Sequence, residues 1–199
     1  MDVSVDSAGQ PARSVRQWRA ASRLGENDVR TLILLRHLKS SWDDPGRLDH
    51  DRPLAPRGRR AGKRIRRELQ DEGIAPQLVL CSSAVRAVGT WKAIRAGIPE
   101  DRRVGIEDGL YAASAESLLE RLKGVPDEVE TVLLIAHNPG IGDLAVGLAG
   151  TGDAHALERM QAKYPTGGLA TLTFEGSWAD LGWAGAQLAE FVVPRDLSG

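Results

Sequence analysis

Arg36-His37, Arg86 and His137 are the side chains of this sequence whose types and positions suit chemistry on a phosphoryl group. An arginine offers a planar fork to two phosphate oxygens, and a neutral imidazole is a nucleophile toward phosphorus. Each of these residues stands shortly after an apolar run: Thr31–Leu35, Gln77–Cys81 (which leads into Ser82-Ser83) and Thr131–Ala136. Taken singly, each is explained more simply as a residue that ends a strand, and Arg-His is a common dipeptide. Three runs that end alike change that balance. If the strands are parallel, their carboxyl ends open on one edge of the sheet, where open α/β sheets bind ligands. Two guanidinium groups and two imidazoles then converge on one pocket. Such a pocket suits a tetrahedral dianion passing through a pentacoordinate transition state, where positioning and charge stabilisation dominate.

The stretches between these runs must supply the elements that position them. Asp43–Pro56 reads as a loop punctuated by Pro45-Gly46, Pro53 and Pro56. Ala61, Ile65 and Leu69 recur every fourth residue and predict a helix over about Arg57–Asp71. Further helices are expected over Val85–Ala96, over Ala115–Lys123, from near Ile141 to Gly150, and over 155–163. Additional strands are expected near Val104–Ile106, Leu169–Phe174 and Leu188–Val193. Alternating strands and helices imply an α/β fold with a largely parallel sheet covered on both faces. Residues 1–28 hold few apolar side chains besides Val15, Trp18 and Leu24 and read as a weakly ordered extension to a domain over 29–199. Their arginines (Arg13, Arg16, Arg19, Arg23) suggest a transit peptide, but Asp2, Asp6 and Glu26 weaken that reading.

Composition narrows the function classes. The 199 residues carry a net charge of −1, which gives the whole molecule no electrostatic pull toward nucleic acid or membrane. The basic face of the 57–67 helix (Arg59, Arg60, Lys63, Arg64, Arg66, Arg67) is a solvated surface by default and a nucleic-acid surface only as a minority reading. A single cysteine precludes an internal disulfide framework, and no apolar run approaches the ~20 residues a membrane span requires. The expectation is a cytoplasmic protein without cofactor. Cys81 and Arg86 resemble a cysteine-phosphatase loop, but only four residues separate them and none is glycine. Cys81 is therefore read as a small buried residue. His37, His50, His137 and His155 lack the tight spacing with carboxylates of a metal site, and His50 and His155 lie in polar segments where exposure is expected.

The stretches RHLKSSW (36–42), DHDRPLAPRG (49–58), LVLCSSAVRAVGTW (78–91), LLIAHNPGIGDLA (133–145) and KYPTGGLATLTF (163–174) together resemble the histidine phosphatase superfamily, in its SixA-like phosphohistidine phosphatase branch. The resemblance implies a three-layer αβα sandwich of the phosphoglycerate mutase type, with a mostly parallel central sheet. It further implies a metal-independent phosphatase working through a covalent phosphohistidine. By it His37 is the nucleophile, and Arg36, Arg86 and His137 bind the transferred phosphoryl group. Lys39 and Arg52 match motif positions and are expected to line the pocket or brace its loops. Trp42 and Trp91 fall inside the motifs and are expected to pack beside the site.

The pattern departs from the family at the proton donor. Many relatives place Glu directly before the leucine of the Leu110-Tyr111 segment, where this chain has Gly109. Asp108, Glu107, Asp43 and Asp44 are the substitutes, although for each an ordinary solvated carboxylate is the simpler explanation. An alkoxide needs a proton to leave, whereas imidazole, with a pKa of about 6.5, does not. The sequence therefore leans toward phosphohistidine or another activated phosphoryl donor, on a phosphorylated protein or a small molecule. A broad phosphatase for small metabolites or nucleotides is the enzymatic alternative. A phospho-ligand binding module with little turnover is the non-enzymatic one.

Overall fold

The computed structural model describes residues 29–197, so the 1–28 extension lies outside the described residues, as do 198–199. Seven strands form one sheet: β1 (Val29–Arg36), β2 (Leu78–Ser82), β3 (Arg103–Glu107), β4 (Thr131–Ala136), β5 (Ala149–Gly152), β6 (Leu169–Glu175) and β7 (Ala186–Val192). Their order across the sheet is β3-β2-β4-β1-β6-β7-β5. β1, β2, β3 and β4 are mutually parallel, β5 pairs parallel with β7, and β6 runs antiparallel to both β1 and β7. The fold is thus α/β, with a mixed, mostly parallel sheet of the phosphoglycerate mutase type.

Among the described residues, five helices cover the sheet: α1 (Pro56–Asp71), α2 (Val85–Ile94), α3 (Ala115–Lys123), α4 (Gly140–Leu148) and α5 (Ala154–Ala162). Side chains alternate across β1, so Ile33 and Leu35 join a core with Ile65, Leu69, Trp91 and Ile94 of α1 and α2. Leu32 and Leu34 join the opposite core with Leu118, Leu122, Leu144 and Leu148 of α3 and α4. Burial on both faces explains why β1 and β4 read as unbroken apolar runs. α1 opens with Pro56 in its first turn, where a missing N–H costs nothing, and it buries Gly58, Gly62, Ile65 and Leu69. α3 and α5 are capped by Ser114 and Asp153, which accept from the N–H groups of Ser117 and Ala156.

Two helices end two residues short of the sequence reading. The helix expected to reach Gly150 stops at Leu148, because the glycine-bearing stretch Ala149–Gly152 leaves it to become edge strand β5. The helix expected to reach Ala96 ends at Ile94 and tightens into a 3₁₀ turn over Arg95–Gly97.

Two glycines hold the sheet edge where the candidate residues lie. Gly167, at φ 77°, donates its N–H to the carbonyls of Arg36 (3.0 Å) and His37 (3.2 Å). Gly140 opens α4 directly behind the His137-Asn138-Pro139 turn, and a Cβ there would lie 2.0 Å from the Ala113 carbonyl oxygen. Gly140→Ala should therefore cost about 2 kcal/mol or more of stability, since backbone must move to admit the methyl group. Gly109→Ala, whose added methyl group would meet nothing within 4 Å, should be close to neutral. Denaturant midpoints of the two variants measure the contrast, and equal midpoints would contradict the packing account.

Candidate active site

β1, β2 and β4 end side by side, and their carboxyl ends carry the four residues singled out in the sequence. Arg36 is the last residue of β1, and the His37 N–H continues the ladder to the Ala136 carbonyl at 3.0 Å. Arg86 sits in the first turn of α2, just beyond β2, and His137 directly follows β4. The rings of His37 and His137 lie 4.9 Å apart. Arg86 reaches His37, with Nε 3.3 Å from the imidazole Nε2.

The hydrogen bonds choose the tautomer of His37. Its Nδ1 lies 2.8 Å from the Leu38 carbonyl, an acceptor only, so Nδ1 carries the proton. Nε2 then keeps its lone pair, to which the Arg86 Nε–H donates. His137 shares a 2.8 Å hydrogen bond between its Nε2 and the buried Ser82 hydroxyl, and its Nδ1 has no partner among the described residues. Arg36 donates from Nη1 to the Tyr164 carbonyl at 2.8 Å, which also accepts from Asn138 Nδ2 at 3.0 Å. Arg36 Nε is buried without a partner among the described residues.

Burial and crowded positive charge set the protonation states. Burial pushes His37 down to about 3; the Leu38 bond opposes this, and His137, Arg86 and Arg36 add to it. His137 falls to about 4, through burial and the charge of Arg86, with Asp49 working in the opposite direction. Burial, then Arg86, also lowers Arg36. Both imidazoles are neutral at pH 7, and the pocket around them is electrostatically suited to an anion.

Asp49 is the residue that sequence reasoning missed. Its carboxylate accepts from Arg86 Nη2 (2.9 Å), Arg52 Nη1 (2.7 Å) and the Tyr111 hydroxyl (2.9 Å), and its carbonyl accepts from Arg86 Nη1. Partial burial raises its pKa, but the hydrogen bonds from Tyr111 and Arg52 and the charge of Arg86 outweigh that and bring it to about 2. Asp49 is therefore ionised, and it fixes the Arg86 fork. Arg52 braces the loop, donating to the Ser41 carbonyl and Ser40 hydroxyl and lying 3.2 Å from the centre of the exposed Trp42 ring. Lys39 is half-buried on the Arg36 side.

The four carboxyls considered as proton donors are placed elsewhere. Glu107 forms two 2.8 Å bonds with Arg121, Asp44 pairs with Arg47, and Asp43 accepts from the Ser41 hydroxyl. Asp108 is exposed and bonds to none of Arg36, His37, Arg86 and His137. His50, expected in solvent, is half-buried beside the site, with Nε2 3.0 Å from the Ser83 hydroxyl and its ring edge-on to Tyr111. Cys81 is fully buried, and burial pushes its thiol up to about 12, which removes thiolate chemistry. Among the described residues, no group of three or more His, Cys, Asp or Glu side chains is arranged to hold a metal ion.

Residues 32–111 match the histidine phosphatase superfamily (branch 1). A candidate phosphohistidine phosphatase SixA from Nakamurella multipartitia is 32% identical and superposes with a TM-score of 0.73 over 83% of this chain and 96% of its own. The chain belongs to the histidine phosphatase superfamily. A second candidate SixA, from Agrobacterium tumefaciens, is 27% identical over 83% of this chain and 98% of its own, with a TM-score of 0.69. An uncharacterized protein of Mycobacterium tuberculosis (strain H37Rv) is 42% identical over 168 residues, which are 81% of this chain and 100% of its own. Among superfamily members this chain is SixA-like, and no helix of its described residues is long and apolar enough to cross a membrane.

The lowered histidine pKa values have a consequence for stability. Below about pH 6.5 the unfolded chain protonates histidines that the folded site keeps neutral, so stability falls as pH drops toward about 4 and then 3. Glu190, raised to about 7 by burial and by Glu68 and Glu72, works in the opposite direction, because its native form takes up a proton first. The informative quantity is therefore a difference. The fall in melting temperature between pH 7 and pH 5 should be smaller in His137→Asn than in the parent. Parallel curves would contradict the neutral buried imidazole.

Proposed function

We propose that the protein is a metal-independent phosphatase that takes a phosphoryl group from an activated donor, such as phosphohistidine, onto Nε2 of His37. The observation that carries this reading is the His37 tautomer: Nδ1 is bound to the Leu38 carbonyl, and the Nε2 lone pair sits beside Arg86. In the first step Nε2 forms a bond to phosphorus, and the bond to the leaving group breaks with its electron pair. In the second, water attacks the phosphohistidine, and the N–P electron pair returns to Nε2. Arg36 and Arg86 neutralise the equatorial oxygens. His137, whose Nε2 shares a hydrogen bond with the Ser82 hydroxyl, places a second neutral imidazole beside the reacting ring.

The state of the carboxyls supports an activated donor. Asp49 is ionised and committed to Arg86, Arg52 and Tyr111, so it has no proton to give. A leaving group that departs unprotonated, such as imidazole or another weak base, suits this pocket better than an alkoxide. The candidate phosphohistidine phosphatases among the relatives agree with that choice.

On phosphoramidate, His37→Ala should abolish turnover, and Arg86→Ala should lower kcat/KM by ~10²–10³, the scale of one lost transition-state donor. EDTA should leave the parent rate intact, because the arginines supply the charge a metal would bring. An alkyl phosphate should turn over far more slowly than phosphoramidate. A His37→Ala enzyme as fast as the parent, or activity that EDTA removes and a divalent ion restores, would refute the assignment.

A further inference from the structure

A concavity opens on the Arg36 side of the site. It is a cleft of about 650 Å³ between the end of β1, the first turn of α1, the end of α5 and the segment after β7. Arg36, Lys39, Arg57, Arg159, Lys163 and Arg195 line it. Asp196 pairs with both Arg159 and Arg195. Arg36, Lys39, Arg57 and Lys163 have no carboxylate partner among the described residues. Six cations, two of them paired with Asp196, give the cleft a positive lining on a molecule whose net charge is −1. Phe191, Val193 and Pro194 give the cleft an apolar wall. Arg36 ends β1 directly before His37 and lines this cleft, so the cleft begins where the site does.

We propose that this cleft binds the leaving-group half of the substrate, and that this half is a small organic phosphate, so that the substrate is a phosphoanhydride of the nucleoside diphosphate type. The proposal rests on the phosphoryl-transfer reading above and narrows it to a substrate class. The terminal phosphoryl lies at His37, the inner phosphate on Arg36 and Lys39, and the organic body along the apolar wall. His37 Nε2 bonds to the terminal phosphorus while the bridging P–O bond breaks, and the bridging oxygen keeps the electron pair. The leaving group is then a phosphate monoester, whose second pKa of about 6 lets it depart without an acid. Water next attacks the phosphohistidine, and the electron pair of the N–P bond returns to Nε2. One water proton stays on inorganic phosphate and the other passes to solvent, while His37 keeps its Nδ1 proton throughout. The cleft cations face the charge that accumulates on the leaving oxygen, which is where fixed charge accelerates transfer. The size favours a small molecule: clefts of about 300–1,000 Å³ are typical for such ligands, whereas a protein partner buries roughly 800 Å² of more open surface.

The test measures kcat/KM for adenosine diphosphate, phosphoramidate and a phosphohistidine-bearing protein, with the parent, the double variant Arg57→Glu/Lys163→Glu, and Arg60→Glu on the exposed face of α1 as control. Both reversed residues are exposed, so folding is not at stake. The parent should convert the diphosphate to the monophosphate and inorganic phosphate. The double variant should lose roughly ten- to a hundred-fold on the diphosphate, at least fivefold more than on phosphoramidate, and Arg60→Glu should match the parent. A parent that hydrolyses phosphoramidate but not the diphosphate overturns the cleft assignment and leaves the phosphoryl-transfer reading standing. Equal losses on all substrates, or a loss confined to the phosphohistidine protein, also overturn it. A parent inactive on every substrate shows instead that the phosphoryl-transfer reading itself has failed.

Discussion

The hydrogen bond from His37 Nδ1 to the Leu38 carbonyl determines which nitrogen of the ring is basic, and much of the site is arranged around that choice. A buried imidazole must satisfy its N–H, and here the chain supplies the acceptor from the next residue. The free lone pair is then directed toward Arg86, whose fork is held in turn by Asp49. Asp49 is tied down by Arg52 and Tyr111, so the orientation of one ring passes outward through an ordered chain of charged bonds. The same arrangement holds when both histidines are neutral, which is the form an attacking imidazole requires.

Collecting positive charge at a buried edge is unfavourable to the folded chain. Arg36 and Arg86 oppose each other, and both suppress protonation of the imidazoles. The surrounding packing supports this strain. β1 is buried on both faces, Gly167 ties the Arg36 and His37 carbonyls, and Tyr164 bonds both Arg36 and the Leu34 carbonyl. Unlike the buried His37, Asp49 has a half-exposed side chain and provides a counter-charge that solvent can reach. An arriving anion gains what the resting pocket lacks.

The sheet, and the placement of Arg36, His37, Arg86 and His137 at or just beyond strand ends, were legible in the sequence because strands buried on both faces leave unbroken apolar runs, and the candidate residues follow where those runs stop. The antiparallel direction of β6 was less legible, since a run such as Leu169–Phe174 carries no mark of its direction. The supporting contacts were out of reach for a different reason. Asp49 meets Arg86 across 37 residues and Tyr111 across 62, and Ser82 meets His137 across 55. Local spacing cannot report such pairs. DHDR at 49–52 did offer one signal, a carboxylate three residues before Arg52. Carboxyls near Leu110 drew attention by analogy, yet Glu107 turned to Arg121. Tyr164 acts through its main-chain carbonyl, which side-chain patterns do not show. The basic cleft draws its six cations from separate segments, so local spacing does not show that they meet.

The most direct test of this account is to locate the phosphoryl group on the enzyme. Protein mixed with phosphoramidate and quenched in alkali should carry one alkali-stable, acid-labile phosphate, and peptide mass spectrometry should place it in the peptide holding His37. Nitrogen-15 and phosphorus-31 NMR of the denatured phosphoprotein should assign it to Nε2, the nitrogen that the Leu38 bond leaves free. Phosphate on Nδ1 of His37, on His137, on a carboxyl or hydroxyl group, or on no residue at all would contradict it.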